Sequence, residues 1–238
     1  MDPQADTNAA IWQSGEQVQD WVTEEARSER DRAVPRRFLA RLLPLGGAFT
    51  FLDLGAGTGA ASRAILDAHP GSTAILADFS AEMMRAGERE MRPYEGRYRY
   101  VEFDLAAGQW PETIPAALDA VVTSMCVHHL TDERKRGLFG EILAHLVPGG
   151  WYLNYDPVRG ADPVVEATWE RMSDLDDPGA ADRRRDRTPA QQARWDNHVR
   201  YMIPLGQQLD YLRAAGFEGI DVYWKQLENV IYGGRRPL

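Results

Sequence analysis

The sequence predicts an α/β fold in which a mixed sheet of seven strands carries helices on both faces. Two observations support this prediction. Between residues 49 and 155, short apolar runs alternate with helix-like segments, a pattern typical of a parallel sheet. Near the end of the chain, Ile220–Leu227 and Glu228–Tyr232 are adjacent β-prone runs, and they predict a closing antiparallel hairpin.

The first five strands are predicted where apolar runs end in glycine or polar residues. They are Phe49–Leu54, Thr73–Ala77, Arg97–Phe103, Leu118–Met125 and Trp151–Tyr155. Helices are predicted between them, because capping residues and apolar stripes recur there. They lie at Ala60–Ala68, after the capping Ser80, from Asp132 to about Leu146, and at Gln207–Ala215.

We divide the chain into four parts. Residues 1–45 are predicted to be an N-terminal helical lid, and residues 46–158 form the core. Residues 159–205 break the strand–helix alternation and are predicted to be a cap inserted after the fifth strand, part helix and part mobile loop around 174–190. Residues 206–238 return to the core with a helix and the closing hairpin.

The composition excludes several classes of function. The net charge of -9 over 238 residues argues against nucleic acid as a partner. Cys126 is the single cysteine, so an intramolecular disulfide and a Cys-rich zinc site are excluded. We find no apolar run long enough for a membrane span and no signal-peptide pattern, so the expected location is the cytoplasm. Two chains could pair as a homodimer through an uncovered strand edge or the N-terminal helices.

Polar residues gather where the predicted strands end, the edge at which parallel sheets bind ligands. The turn Gly55–Gly59 reads Gly-Ala-Gly-Thr-Gly, one residue short of the dinucleotide fingerprint. Asp78 ends the second strand and could accept ribose hydroxyls, or instead cap the helix after Ser80. Asp104 ends the third strand and could accept from an exocyclic amine, or be a turn residue.

The motifs at this edge form a set. They are Phe51-Leu-Asp-Leu-Gly-Ala-Gly-Thr-Gly, Asp78-Phe79-Ser80-Ala-Glu-Met-Met, Phe103-Asp104-Leu105, Ser124–Leu130 and Val147-Pro-Gly-Gly. Together they resemble the class I S-adenosylmethionine-dependent methyltransferases over residues 45–155, and more loosely to the end of the chain. The resemblance implies a Rossmann-like core, S-adenosylmethionine as cofactor and S-adenosylhomocysteine as product.

The resemblance also implies a set of cofactor-binding residues. They are Asp53, Gly55, Ala56, Gly57, Gly59, Asp78, Phe79, Met83, Asp104, Leu105 and Ser124. Asp53 and the glycine turn would hold the methionine part, and Asp78 would hold the ribose. Phe79, Asp104 and Leu105 would contact the adenine, and the backbone of Ser124 would lie near the sulfonium.

Transfer of a methyl group needs a nucleophile aligned with the S–CH3 bond, and an acceptor that carries a proton can also need a base. His129, or else His128, is a candidate base because an imidazole titrates in the right range; either could instead bond the backbone. The histidines are otherwise scattered, so no metal site is expected. The candidate substrate-binding residues are Trp12, Trp21, Tyr155, Asp156, Trp169 and Trp195, although the tryptophans could simply pack the fold.

The predicted function is methyl transfer to an oxygen or nitrogen atom of a small, aromatic or apolar metabolite, as in specialised metabolism. One alternative is a carboxy-S-adenosylmethionine synthase, in which Arg159 or Arg200 would hold an added carboxylate. A tRNA or protein methyltransferase, and a cofactor-binding partner without catalysis, are further alternatives.

Overall fold

The computed structural model describes residues 32–44 and 46–238. Seven strands form one sheet: β1 (Thr50–Leu54), β2 (Thr73–Asp78), β3 (Tyr98–Glu102), β4 (Leu118–Ser124), β5 (Leu146–Pro157), β6 (Glu218–Gln226) and β7 (Asn229–Arg235). Their spatial order is β3-β2-β1-β4-β5-β7-β6. The neighbours from β3 to β5 are parallel, whereas β7 is antiparallel to both β5 and β6. The predicted α/β class, strand number and closing hairpin are confirmed.

The helices that cover the sheet begin with α1 (32–42). They continue with α2 (Ala60–Ala68), α3 (Ala81–Met91), α4 (Asp132–His145) and α8 (Leu205–Ala215). One core layer packs α1 to α3 on the sheet through residues such as Leu39, Ile65 and Met91. The other packs α4 and α8 through residues such as Phe139 and Leu212. Both faces of the sheet are therefore covered, as the buried parallel strands require.

Three further helices follow β5: α5 (Pro163–Asp176), α6 (Ala180–Arg185) and α7 (Pro189–Val199). We call this segment, 163–199, the cap. None of the three helices contains a buried residue, in contrast to α4. The cap contains more helix than the sequence predicts. Arg183–Arg185 fall in the predicted mobile loop but lie in α6, where Arg184 pairs with Asp174 at 2.7 Å.

The predicted bounds differ most from the structure at β5 and in the closing hairpin. β5 begins at Leu146, five residues before the predicted Trp151, although Pro148, Gly149 and Gly150 signal a turn. Its pairing with β4 shifts register between Leu118 and Ala120, so an irregular strand absorbs these residues. The closing strands also start and end differently from the predicted runs, with Leu227 left-handed (φ 52°) in the turn between them. No helix within 32–44 or 46–238 is long and apolar enough to cross a membrane.

Candidate functional site

The glycine turn follows β1 and has a backbone that only glycine adopts easily. Gly55, Gly57 and Gly59 all have positive φ values of 68°, 53° and 79°. A Cβ atom on Gly55 would lie 2.1 Å from Sγ of Cys126. The turn is anchored on β2, because the amides of Gly55 and Ala56 donate to the carbonyl of Ala77 at 2.8 and 3.0 Å. The glycines therefore permit both the left-handed backbone and close packing on Cys126, the second residue after β4.

Asp53 lies on β1 beside this turn and is 1% exposed. Its Oδ2 accepts from the hydroxyl and the amide of Ser62, at 2.7 and 3.2 Å. Its Oδ1 is buried and has no hydrogen-bond partner in the described chain. Burial raises the pKa of Asp53 to about 6, against the hydrogen bonds from Ser62. A buried acceptor left in this state is costly, so Oδ1 marks a place where a ligand donor or cation would be stabilised.

Asp78 ends β2 and joins the glycine turn to α3. Its Oδ2 accepts from the amide of Gly57 at 2.8 Å, and its Oδ1 accepts from the amide of Ser80 at 2.9 Å. The hydroxyl of Ser80 in turn accepts from the amide of Met83, which caps α3. Burial raises the pKa of Asp78. Ser80 is therefore the cap of α3, and Asp78 fixes the glycine turn to the residue that begins this helix.

The other residues of the predicted cofactor set differ in exposure. Met83 and Leu105 are buried, and Ala56, Phe79 and Ser124 are half-buried. The buried Oγ of Ser124 has no hydrogen-bond partner among residues 32–44 and 46–238. Asp104 is exposed, and its Oδ1 accepts from the amide of Ala106 at 2.9 Å, as a turn residue would. The polar groups beside the glycine turn therefore suit a cofactor better than Asp104, which follows β3.

A left-handed residue follows β4. Met125 has φ 57°, uncommon for a residue with a side chain, and its amide donates to the carbonyl of Tyr155 at 2.8 Å. This geometry turns the chain into a short 3-10 segment, Val127–His129. The sequence gives no signal for Met125, since methionine has no preference for this conformation.

The 3-10 segment places His128 against β5. Asp156, fully buried on β5, accepts from the amide of His128 at 2.8 Å and lies 2.7 Å from its Nδ1. With the carboxylate as acceptor, Nδ1 carries the proton and Nε2 keeps its lone pair. Burial raises the pKa of Asp156. Asp156, predicted to bind substrate, instead orients the imidazole of His128.

A third histidine, which belongs to the cap, lies beside the predicted pair His128 and His129. His198 on α7 lies with its Nδ1 3.1 Å from Nε2 of His128, and its ring is 5.9 Å from that of His129. Burial lowers the pKa of His128 and of His198 to about 3, and that of His129 well below 6.5, so all three rings are neutral. We call these residues the histidine cluster. The sequence could not reveal it, because 70 residues separate His128 from His198.

The remaining predicted substrate residues do not converge. Tyr155 is buried in the core layer under α1 and α2, its ring 6.1 Å from that of Trp224. Trp169 lies under the Lys225 ammonium at 4.2 Å. Trp195 is 40% exposed and its ring lies 5.5 Å from that of His198, at the histidine cluster. Trp12 and Trp21 lie outside the described residues.

Arg159 and Arg200, the candidates for holding the added carboxylate of a carboxy-S-adenosylmethionine synthase, contact other groups. Arg159 donates to the carbonyl of Val199 at 3.0 Å and lies 3.8 Å from Glu166. Arg200 stacks on the ring of Tyr201, with 5.0 Å between its Cζ and the ring centroid. Both therefore serve contacts in or beside the cap.

The comparisons with known proteins agree with this fold. Residues 52–152 match the family described as "Methyltransferase domain". The trans-aconitate 2-methyltransferase of Azoarcus sp. strain BH72 is 34% identical over 122 residues, which are 51% of this chain and 44% of that protein. The chain therefore spans less than half the length of this relative.

Two solved structures have the same fold at low identity. Human N-acetylserotonin methyltransferase in complex with S-adenosylmethionine is 16% identical, with a TM-score of 0.67 over 99% of this chain and 60% of that one. An O-methyltransferase family protein from Burkholderia thailandensis is 18% identical, with a TM-score of 0.63 over 93% and 60% of the two chains. The chain therefore has the fold of these methyltransferase structures, and residues 52–152 are similar to a methyltransferase domain.

Proposed function

We propose that this protein transfers a methyl group from S-adenosylmethionine to an oxygen or nitrogen atom of a small metabolite. The observation that carries the proposal is a pair of features at adjacent strand ends. The buried carboxylate of Asp53 lies beside the glycine turn after β1, and the histidine cluster lies beyond β4 and β5. In the strand order of this sheet, the chain moves outward from β1 to β3 on one side and from β4 to β5 on the other. The crevice between β1 and β4, where this order reverses, is the place at which open α/β sheets bind ligands.

The residues around the turn fit the cofactor. Oδ1 of Asp53 would accept from the ammonium group of the methionine part, a partner that the described chain does not provide. Asp78 keeps further lone pairs on both oxygens for ribose hydroxyls. Phe79, Leu105 and Asp104 would contact the adenine, and Ser124 would face the sulfonium. When bound, S-adenosylmethionine supplies an electrophilic methyl group.

The acceptor would bind between the cofactor edge and the cap. His129 is half-buried in the histidine cluster, and a neutral imidazole can hydrogen-bond an acceptor O–H or N–H and orient it for in-line attack. His128 is less suited, because its two ring nitrogens already face Asp156 and His198. That His129 or His128 also removes the proton stays a prediction from the sequence.

The proposed acceptor class is a small aromatic or apolar molecule. Trp195 lies beside the cluster and is 40% exposed, with the Arg187 guanidinium over its ring at 4.3 Å, and flat ligands pack well on aromatic side chains. The relatives described above are named for small acceptors, trans-aconitate and N-acetylserotonin. Both the aromatic side chain beside the cluster and these names support a small molecule over a macromolecule.

Calorimetry with S-adenosylhomocysteine tests the cofactor site. Asp53→Asn should weaken binding at least ten-fold, about 1.4 kcal/mol, because the amide keeps the bond from Ser62 but loses the charge facing the ligand. Asp67→Asn is the control, since Asp67 is an exposed carboxylate that accepts from Tyr94. No binding by the wild type, or equal binding by Asp53→Asn, would contradict the proposal. Transfer of labelled methyl to a panel of small phenols, amines and acids would then define the acceptor.

A further inference from the structure

The histidine cluster brings three ring nitrogens close together. One ligand atom from each of His128, His129 and His198 lies within 4.8 Å of the other two. Two of the residues are on the core segment after β4, and the third is on α7 of the cap. The protein does not need to supply a fourth ligand, because a metal ion with three protein ligands keeps one position for water or substrate.

We propose that His128, His129 and His198 bind a divalent transition-metal ion of the kind that prefers imidazole, such as Zn²⁺ or Co²⁺. Two nitrogen ligands of a tetrahedral zinc ion are about 3.3 Å apart, for bonds of roughly 2.0–2.1 Å. Nε2 of His128 and Nδ1 of His198 are 3.1 Å apart, close to that spacing. The widest separation, 4.8 Å, requires one imidazole to turn inward when the ion binds.

Asp156 provides the second, independent observation. Metal-binding histidines commonly donate their other ring N–H to a carboxylate, which fixes the tautomer and makes the ligand more basic. His128 has this arrangement, since its Nδ1 lies 2.7 Å from the fully buried Asp156. The same contact directs Nε2, with its lone pair, towards His198. A negative charge behind the ligand would also stabilise the charge of the ion.

The donor set limits the kind of ion. Three neutral imidazoles suit Zn²⁺, Co²⁺, Ni²⁺, Cu²⁺ or Fe²⁺, whereas Mg²⁺ and Ca²⁺ prefer oxygen ligands. The competing arrangement is a hydrogen bond from Nδ1 of His198 to Nε2 of His128 with no ion between them. Metal binding would also join the cap to the core, because α7 and the 3-10 segment carry the ligands.

Titration of the tag-free, chelator-treated full chain with Co²⁺ tests the proposal. We expect ligand-field absorption bands with 1:1 stoichiometry, and their loss when Zn²⁺ is added as a competitor. His198→Gln should lower Co²⁺ affinity at least ten-fold, and Asp156→Asn should lower it 10- to 100-fold. His145→Gln is the matched control, since His145 stacks on Trp110 away from the cluster and should leave the affinity unchanged.

His198 is the main variant because it lies on the cap, so its loss should spare the buried core around His128 and Asp156. Absence of the bands in the wild type would overturn the proposal, as would equal affinity of His198→Gln and His145→Gln. The test needs neither cofactor nor acceptor. Unchanged S-adenosylhomocysteine binding by His198→Gln would separate a failure here from a failure of the methyltransferase assignment.

Discussion

The carboxyl group of Asp53 has one oxygen bonded to Ser62 and the other without a hydrogen-bond partner in the described chain. Burial of this group favours its neutral form, so the ionised side chain that a cationic ligand needs is costly in the free protein. The proposed binding role of Asp53 would therefore lower the stability of the free protein. The sequence places Asp53 at a strand end, but only the packing of α2 shows that its surroundings are dry.

This balance predicts a pH-dependent effect of Asp53→Asn. The pKa of Asp53 is about 6 in the folded state and 3.8 in an unperturbed chain. Its contribution to the free energy of unfolding is thus fully present below pH 3.8 and is lost as the pH rises through 6, about 3 kcal/mol in all. Asn has no such loss, so the variant should gain relative to the wild type between pH 4.5 and 7.5. Urea unfolding of the cofactor-free protein at several pH values measures this gain, and a difference between variant and wild type that stays constant with pH would refute the effect.

At the scale of elements, the glycine turn links β1, β2 and α3 through Gly57. Its φ is 53°, its amide donates to Asp78, and its carbonyl accepts from the hydroxyl of Tyr100 at 3.1 Å. Gly57→Ala should cost about 1–2 kcal/mol of stability, the penalty for a side chain in this conformation. It should also weaken S-adenosylhomocysteine binding at least ten-fold, because a Cβ would lie 2.8 Å from Cε of Met83 and displace the turn.

Gly96→Ala is the matched control for Gly57→Ala. Gly96 also has a positive φ, 81°, but a Cβ there would meet nothing within 4 Å and the residue lies in the loop before β3. It should lose similar stability by thermal unfolding while calorimetry finds the wild-type affinity. Equal affinity losses in the two variants would show that the cofactor effect arises from general destabilisation.

Elements with strong local signals are predictable from the sequence, and those formed by distant pairing are not. The helix Ala60–Ala68 has the predicted bounds because an apolar stripe and a glycine turn define it locally. The predicted start of β5 is wrong. Pro148 and Gly149 signal a turn in the sequence, whereas pairing with β4 on either side of them holds them in an irregular strand. The sequence predicts the placement of the glycines and acidic residues at the strand ends, and the structure has them there. It does not predict His198 and Met125, because packing of the cap and backbone strain leave no pattern in the sequence.

At the scale of the whole molecule, the strand order brings the ends of β1, β4 and β5 side by side. The residues after β1 and β4 and at the end of β5 thereby meet, although 103 positions separate Asp53 from Asp156 along the chain (156 − 53). The core beneath them is closed on both faces, whereas the cap contributes no buried residue from its three helices. The strands thus carry the residues of the proposed cofactor site, and the cap supplies His198 and Trp195.

This contrast predicts two levels of stability in one chain. α4 and α5 each have 14 residues, but α4 buries four of them and α5 buries none. Amides of α5 should therefore exchange with solvent deuterium through local opening, at least 100-fold faster than those of α4, which need global unfolding. Low urea should accelerate exchange in α4 and β4 but barely affect α5, since local opening exposes little surface. Equal protection of the two helices would mean that the cap and core unfold as one unit.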